Sequence, residues 1–146
     1  MIKDEINRVI AESALKLGYH VYESSINLKE ARTTVAVKID SLNGVSHYDC
    51  QLYSDELSSR LDEKNLLPGY SLEISSPGLD RKLRNADEFI RFIGAPAKIV
   101  YDEDGVRKVL KGVIKDAGEA DVEMSDGKSL IVQVEYKNII NANLDY

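Results

Sequence analysis

The sequence predicts an α+β protein in two parts: an N-terminal two-layer α-β-β-α-β domain, then a small all-β barrel. Three observations carry this prediction. Apolar residues recur at helical spacing in 2–17 and again in 50–61. Short β-branched runs that alternate in polarity lie between and after those segments. Beyond Pro96 the pattern changes to short strands punctuated by Asp-Gly turns.

In the first part, Ile2, Ile6, Val9, Ile10, Ser13 and Leu17 form one stripe of a helix, and Gly18 stands where a C-terminal cap belongs. Residues 19–29 read as a strand with imperfect alternation, and Glu30-Ala31-Arg32 as the turn after it. In 33–40, Val35, Val37 and Ile39 share one face of a second strand. Asn43-Gly44 breaks that strand. Ser46 with Asp49 three residues on spells a capping box for a second helix, on which Cys50, Tyr53, Leu57 and Leu61 recur at spacings of three and four. That helix is expected to fray near Asn65 and to end at Pro68-Gly69. Tyr70, Leu72 and Ile74 alternate with Ser71, Glu73 and Ser75 in a third strand. Two helices are thus expected on one face of a three-stranded sheet. In outline the domain is similar to a KH-like arrangement, without the G-x-x-G loop that clamps RNA.

Ser76-Pro77-Gly78 suits a type II turn, with proline setting φ and glycine supplying the positive φ that follows. Asn85 then caps a short helix, with Glu88 three residues on and Phe89, Phe92 and Ile93 as its apolar side. Gly94 closes it and Pro96 prevents continuation. Four or five strands follow, in 97–101, 109–115, 120–124 and 129–134, with a last strand or 3₁₀ turn in 136–144. Short strands joined by tight turns suggest a barrel of the SH3 or Sm-like kind. The domains are placed at 1–84 and 85–146, the second with its short leading helix.

Composition narrows the function. Hydrophobic residues make up 43% and charged residues 30%, ordinary values for a soluble globular protein. One cysteine, Cys50, allows no internal disulfide, and the acidic N-terminus does not read as a signal peptide. No apolar run is long enough to cross a bilayer, so a cytoplasmic protein is expected. The net charge of -6 argues against a general nucleic-acid coat, but leaves room for one local basic patch or for docking on a basic protein.

No catalytic, cofactor-binding or metal-ligating set stands out. His47 and Cys50 are three apart on a helix and fit a surface residue beside a core one. Two histidines and one cysteine have no zinc-site spacing. Asp102-Glu103-Asp104-Gly105 looks like the start of a calcium loop, but Val113 stands where its twelfth-position glutamate belongs. Phosphate-binding glycine loops are absent. The basic residues remain: Arg81, Lys82 and Arg84 behind the rigid turn, and Arg107, Lys108, Lys111 and Lys115 around the second barrel strand. On a regular strand Lys111 and Lys115 share a face, and Val113 points inward only if a bulge intervenes. Grouped on one side, such residues suit contact with phosphates. Solvated charge, or an Asp80–Arg81 ion pair that steadies the connector, is the plainer reading.

The stretch LEISSPGLDRKLRNADEFIRFIG (72–94) resembles the signature of the bacterial ribosome maturation factor RimP family. Glu73, Ser75, Ser76, Pro77, Gly78, Leu79, Asp80, Arg81, Leu83, Phe89, Phe92 and Gly94 match its pattern. VAVKID, the helix from Cys50 to Asp62, Lys111-Gly112 and Asp126-Gly127 extend the resemblance over nearly the whole chain. Lys82 departs from it, standing where the family has proline. The resemblance implies a cytoplasmic, non-enzymatic assembly factor without cofactor or metal, monomeric by default. It implies binding to the free or immature small ribosomal subunit, through rRNA and a small-subunit ribosomal protein, and no membrane partner. Residues Ser75 to Arg81 are then the interdomain motif, and Arg81, Lys82, Arg84, Arg107, Lys108, Lys111 and Lys115 the candidate docking residues. Two alternatives from other classes are an SH3/Sm-like adaptor with a non-ribosomal partner and a small hydrolase using paired carboxylates of raised pKa.

Overall fold

The first helix, α1 (Ile2–Leu17), stops where Gly18 turns into the left-handed region at φ 82°. Its buried stripe is Ile6, Val9, Ile10, Ser13 and Ala14, and the Ser13 hydroxyl donates to the Val9 carbonyl at 2.8 Å. That bond satisfies the one polar side chain in the stripe. The structure is a computed structural model, and it describes residues 1–29, 32–78, 81–128 and 130–145. The chain divides into two units, Met1–Pro77 and Gly78–Tyr146.

In the first unit α1 is followed by β1 (His20–Asn27), β2 (Thr33–Asp40), α2 (His47–Lys64) and β3 (Tyr70–Ser75). The sheet order is β1-β2-β3, antiparallel at the first pair and parallel at the second. A parallel pair needs a crossover, which α2 supplies. Val35, Val37 and Ile39 of the central strand are fully buried and share one core with Ile6, Val9 and Ile10 of α1 and Tyr53, Leu57 and Leu61 of α2. The Tyr53 hydroxyl donates to the Ile10 carbonyl at 2.8 Å and ties the two helices. The imperfect alternation of β1 has a local cause: its register shifts between Val21 and Glu23. Of the turn expected at 30–32, Glu30 and Ala31 lie outside the described residues.

The capping box forms as spelled. Ser46 Oγ accepts from the Asp49 N–H at 3.1 Å, and the Asp49 carboxylate accepts from the Ser46 N–H at 2.8 Å. Tyr19, just past α1, donates its hydroxyl to the same carboxylate at 2.6 Å. Burial and that bond push the Tyr19 pKa up to about 12. The far end of α2 differs from expectation. Asn65 takes the left-handed conformation at φ 51° and caps the helix itself, so Pro68 and Gly69 lie beyond a helix already ended. Asparagine tolerates that conformation better than most residues.

The second unit holds α3 (Ala86–Arg91), β4 (Pro96–Glu103), β5 (Val106–Ala117), β6 (Asp121–Ser125), β7 (Ile131–Glu135), a 3₁₀ turn at Tyr136–Asn138 and β8 (Ile139–Leu144). The segment 136–144 thus contains both of the features expected as alternatives. All strand pairs are antiparallel, in the order β7-β6-β5-β4-β8. Asp104 and Gly105, at φ 53° and 82°, make the two-residue turn between β4 and β5. The core gathers Ile99, Ile114, Val122 and Met124 from the sheet with Phe89 and Phe92 from α3. At Gly112 a Cβ would sit 2.2 Å from the Ser125 carbonyl oxygen, so the β5–β6 approach excludes any side chain there.

One expectation is corrected here. The five strands form an open sheet with β7 and β8 as its edges, not a closed barrel. The reason lies on β8, whose outer side is already occupied. The Leu83 N–H donates to the Ala142 carbonyl and the Leu144 N–H to the Arg81 carbonyl, both at 2.9 Å. By these bonds residues 81–84 pack with β8, within the compact unit that runs from Gly78 to Tyr146.

Candidate functional site

The motif Ser75 to Arg81 leaves β3 and enters the second unit. Ser75 is exposed, Ser76 and Pro77 are half-buried, and Gly78 has the positive φ, 67°, that the expected turn requires. Leu79 and Asp80 lie outside the described residues, and with them the expected Asp80–Arg81 pair.

Arg81 is the correction among the docking candidates. Its side chain is among the largest fully buried ones in the protein, at 1% exposure. Nη2 donates to Glu88 Oε2 at 3.0 Å, Nη1 donates to the Lys82 carbonyl, and the guanidinium lies 5.0 Å from the centre of the Phe92 ring. Arg84 reaches the same carboxylate, through Nε at 3.1 Å, Nη2 at 2.8 Å and its backbone N–H at 2.7 Å. Burial pushes the Glu88 carboxyl up, but the bonds from Arg84 and Arg81 outweigh it and hold the pKa down at about 2. Glu88 therefore does not complete a capping box. Asn85 caps α3 alone, its side chain accepting from the Glu88 N–H at 3.0 Å. A guanidinium held this way orders its own segment and is not presented to a partner.

Alternation along the bridge to β8 decides which neighbours face out. Leu83 is buried, whereas Lys82 and Arg84 are exposed. Lys82 bridges to Asn143 in the sheet and its Nζ donates to Asn141 Oδ1 at 3.3 Å. Both residues border a cleft of about 290 Å³ that also touches Tyr136 and Ile140.

The other cations sit on β5, and the register sorts them. Lys111 lies directly opposite Lys98 of β4, with Val109 opposite Val100 and Arg107 opposite Asp102 along the same face. Facing residues of an antiparallel pair share a side, so Lys98, Lys111 and Arg107 stand together on the outward face. Val113 is outward too, because the register shift of β5 comes after Ile114, next to Lys115. Lys108 falls out of phase with this row and pairs with Glu103 at 3.3 Å. Among the described residues, Lys98, Lys111 and Arg107 have no carboxylate within ion-pair distance. Like charges directly opposite in a sheet destabilise it, by up to about 1 kcal/mol. Lys98 escaped the sequence reading, although a signal existed: counting back from the Asp104-Gly105 turn pairs 98 with 111.

His47 is exposed, and burial together with the Asp49 charge pushes the Cys50 thiol up, which keeps it protonated. Among the described residues, the three carboxylates whose pKa values are shifted, Asp49, Glu56 and Glu88, all go down, the opposite of a general acid. Among the described residues no group of three or more His, Cys, Asp or Glu is placed to hold a metal ion. Nor is any helix among them long and apolar enough to cross a membrane.

Residues 9–80 match the family model described as the RimP N-terminal domain. The matched span covers α1 from Val9 onward, the three-stranded sheet, α2 and the Ser-Pro-Gly corner. The chain belongs to the RimP family of ribosome maturation factors.

Proposed function

We propose that this protein is a non-catalytic, cytoplasmic maturation factor that binds the free small ribosomal subunit during its assembly. The match of residues 9–80 to the RimP N-terminal domain carries this reading. In it the second unit is an SH3/Sm-like domain whose last strand is covered instead of closing the barrel. The strand order β7-β6-β5-β4-β8 and the 3₁₀ turn before β8 support that assignment. The docking residues are the exposed cations Lys82, Arg84, Arg107, Lys108, Lys111 and Lys115. The motif from Ser75 to Arg81 joins the two units, and Arg81 serves by holding its own segment in place. Such a factor acts by binding one state of the immature subunit more tightly than another, which shifts a population without any bond being made or broken.

The test is co-sedimentation of the purified protein with free small subunits, large subunits and assembled ribosomes at two salt concentrations. Saturable binding to free small subunits alone, weakened by salt, is the expected result. Absence of binding in every fraction at low salt overturns the reading. Capture of a protein without rRNA favours an adaptor instead.

A further inference from the structure

We propose that the outward face of the second sheet docks the phosphate backbone of double-stranded RNA, centred on the Lys98–Lys111 pair. The inference rests on the small-subunit reading and adds to it the face, a residue outside the motif and the chemistry of the partner.

Three observations lead there. The protein carries 25 acidic and 19 basic side chains, so cations are the minority among its charged groups. Lys16, Lys38, Arg60, Lys108 and Lys137 each have a carboxylate within 4 Å. Lys98, Lys111 and Arg107 have none among the described residues, although they share one face. Two ammonium groups on directly facing strand positions repel each other, and one phosphate lying between them relieves both. Arg107 stands four residues further along β5, about 13 Å away at the usual strand rise, within reach of a second phosphate.

The same face is polarised. Asp116 stands opposite Glu123, and Asp121 opposite Glu135, at the β5–β7 end. Asp102, opposite Arg107, is the carboxylate within the cation row, so an anionic polymer is drawn to the Lys98–Lys111 pair and repelled from the β5–β7 end. A basic protein segment would meet the reverse pattern at the lysine pair.

The third observation is what the face lacks. Val100 and Val109 line it between the cations and Val113 beyond them, with Asn141 and Asn143 of β8 beside Val100 and Lys98. No aromatic ring lies in this outward row. Proteins that hold single strands stack bases on aromatic side chains. A face of lysine, arginine, asparagine and valine offers no aromatic platform for bases. It suits the backbone of a duplex, read through charge and shape.

The experiment measures binding of the full chain to a labelled RNA duplex of about twenty base pairs and arbitrary sequence, by fluorescence anisotropy at several salt concentrations. A U-rich single strand and poly-glutamate are compared in parallel. The wild type is expected to prefer the duplex. Lys98→Gln/Lys111→Gln is expected to weaken duplex binding at least tenfold and to reduce the salt slope by about one, for the one phosphate the pair shares. Lys137→Gln, on another part of the unit, should leave both unchanged. Lys111→Glu places opposite charges across the strands, so the fold is kept while binding is lost, and a thermal melt checks this. Equal binding by the double variant, or equal binding of poly-glutamate, overturns the proposal. Co-sedimentation of the same variants separates the two failures. If small subunits are bound but duplex RNA is not, this face is wrong and the subunit reading stands. If neither is bound, both fall.

Discussion

Arg81 and Glu88, seven residues apart, meet as a buried ion pair at 3.0 Å, with side chains 2% and 5% exposed. Taking two charges out of water is expensive, and Phe92 and the bonds from Arg84 are what make it tolerable here. Glu88→Gln should therefore destabilise the protein by about 3–5 kcal/mol, because it strands the Arg81 charge in the core. Arg81→Lys should not rescue Arg81→Ala fully, since an ammonium cannot reproduce the planar fork. Urea unfolding checks both. A cost below about 1 kcal/mol for Glu88→Gln means that the guanidinium finds water instead.

Acid should remove the same contribution. The Glu88 carboxyl ordinarily titrates at 4.5 and here at about 2. A carboxyl depressed on folding adds stability that is fully present above its unfolded pKa and disappears as pH falls through the folded one. Stability should thus decline between about pH 4.5 and pH 2, with Glu88 supplying on the order of 3 kcal/mol of the loss. Thermal melts of the wild type and Glu88→Gln across that window should converge as pH drops. Parallel curves assign the acid sensitivity to other groups.

Gly112 is held by contact with a neighbouring strand. A methyl group there meets a backbone carbonyl at 2.2 Å, and no side-chain rotation relieves it. Gly112→Ala should displace β6 from β5 and cost about 1–3 kcal/mol. Amide exchange should rise in β6 and β7 first. Unchanged exchange in both strands contradicts the close approach.

Lys111→Glu should act in the opposite direction. It converts the facing pair with Lys98 from like to unlike charge and should stabilise the sheet by about 0.2–1 kcal/mol. The effect should shrink as salt is added. A destabilised variant means that the two ammonium groups are not close enough to interact.

Much of the chain was legible because its signals are local. Gly18, the Ser46–Asp49 box and the Asp104-Gly105 turn act within a few residues, where caps and turns satisfy backbone groups. The alternation of β2 was enough to name the core face of the first unit. Even the Lys98–Lys111 pairing was implicit, since a two-residue hairpin turn sets the register of both its strands.

The sequence by itself determined the elements, their order and the family. Tertiary structure alone decided the rest: that Arg81 faces inward, that Asn65 ends α2 before the proline, and that the second sheet stays open. Arg81 is buried because Glu88 and Phe92 arrive from α3, and its backbone is bound because β8 returns some sixty residues later to offer Leu144. No pattern of hydropathy marks an arginine for the core, since its burial depends on partners that only the folded chain assembles.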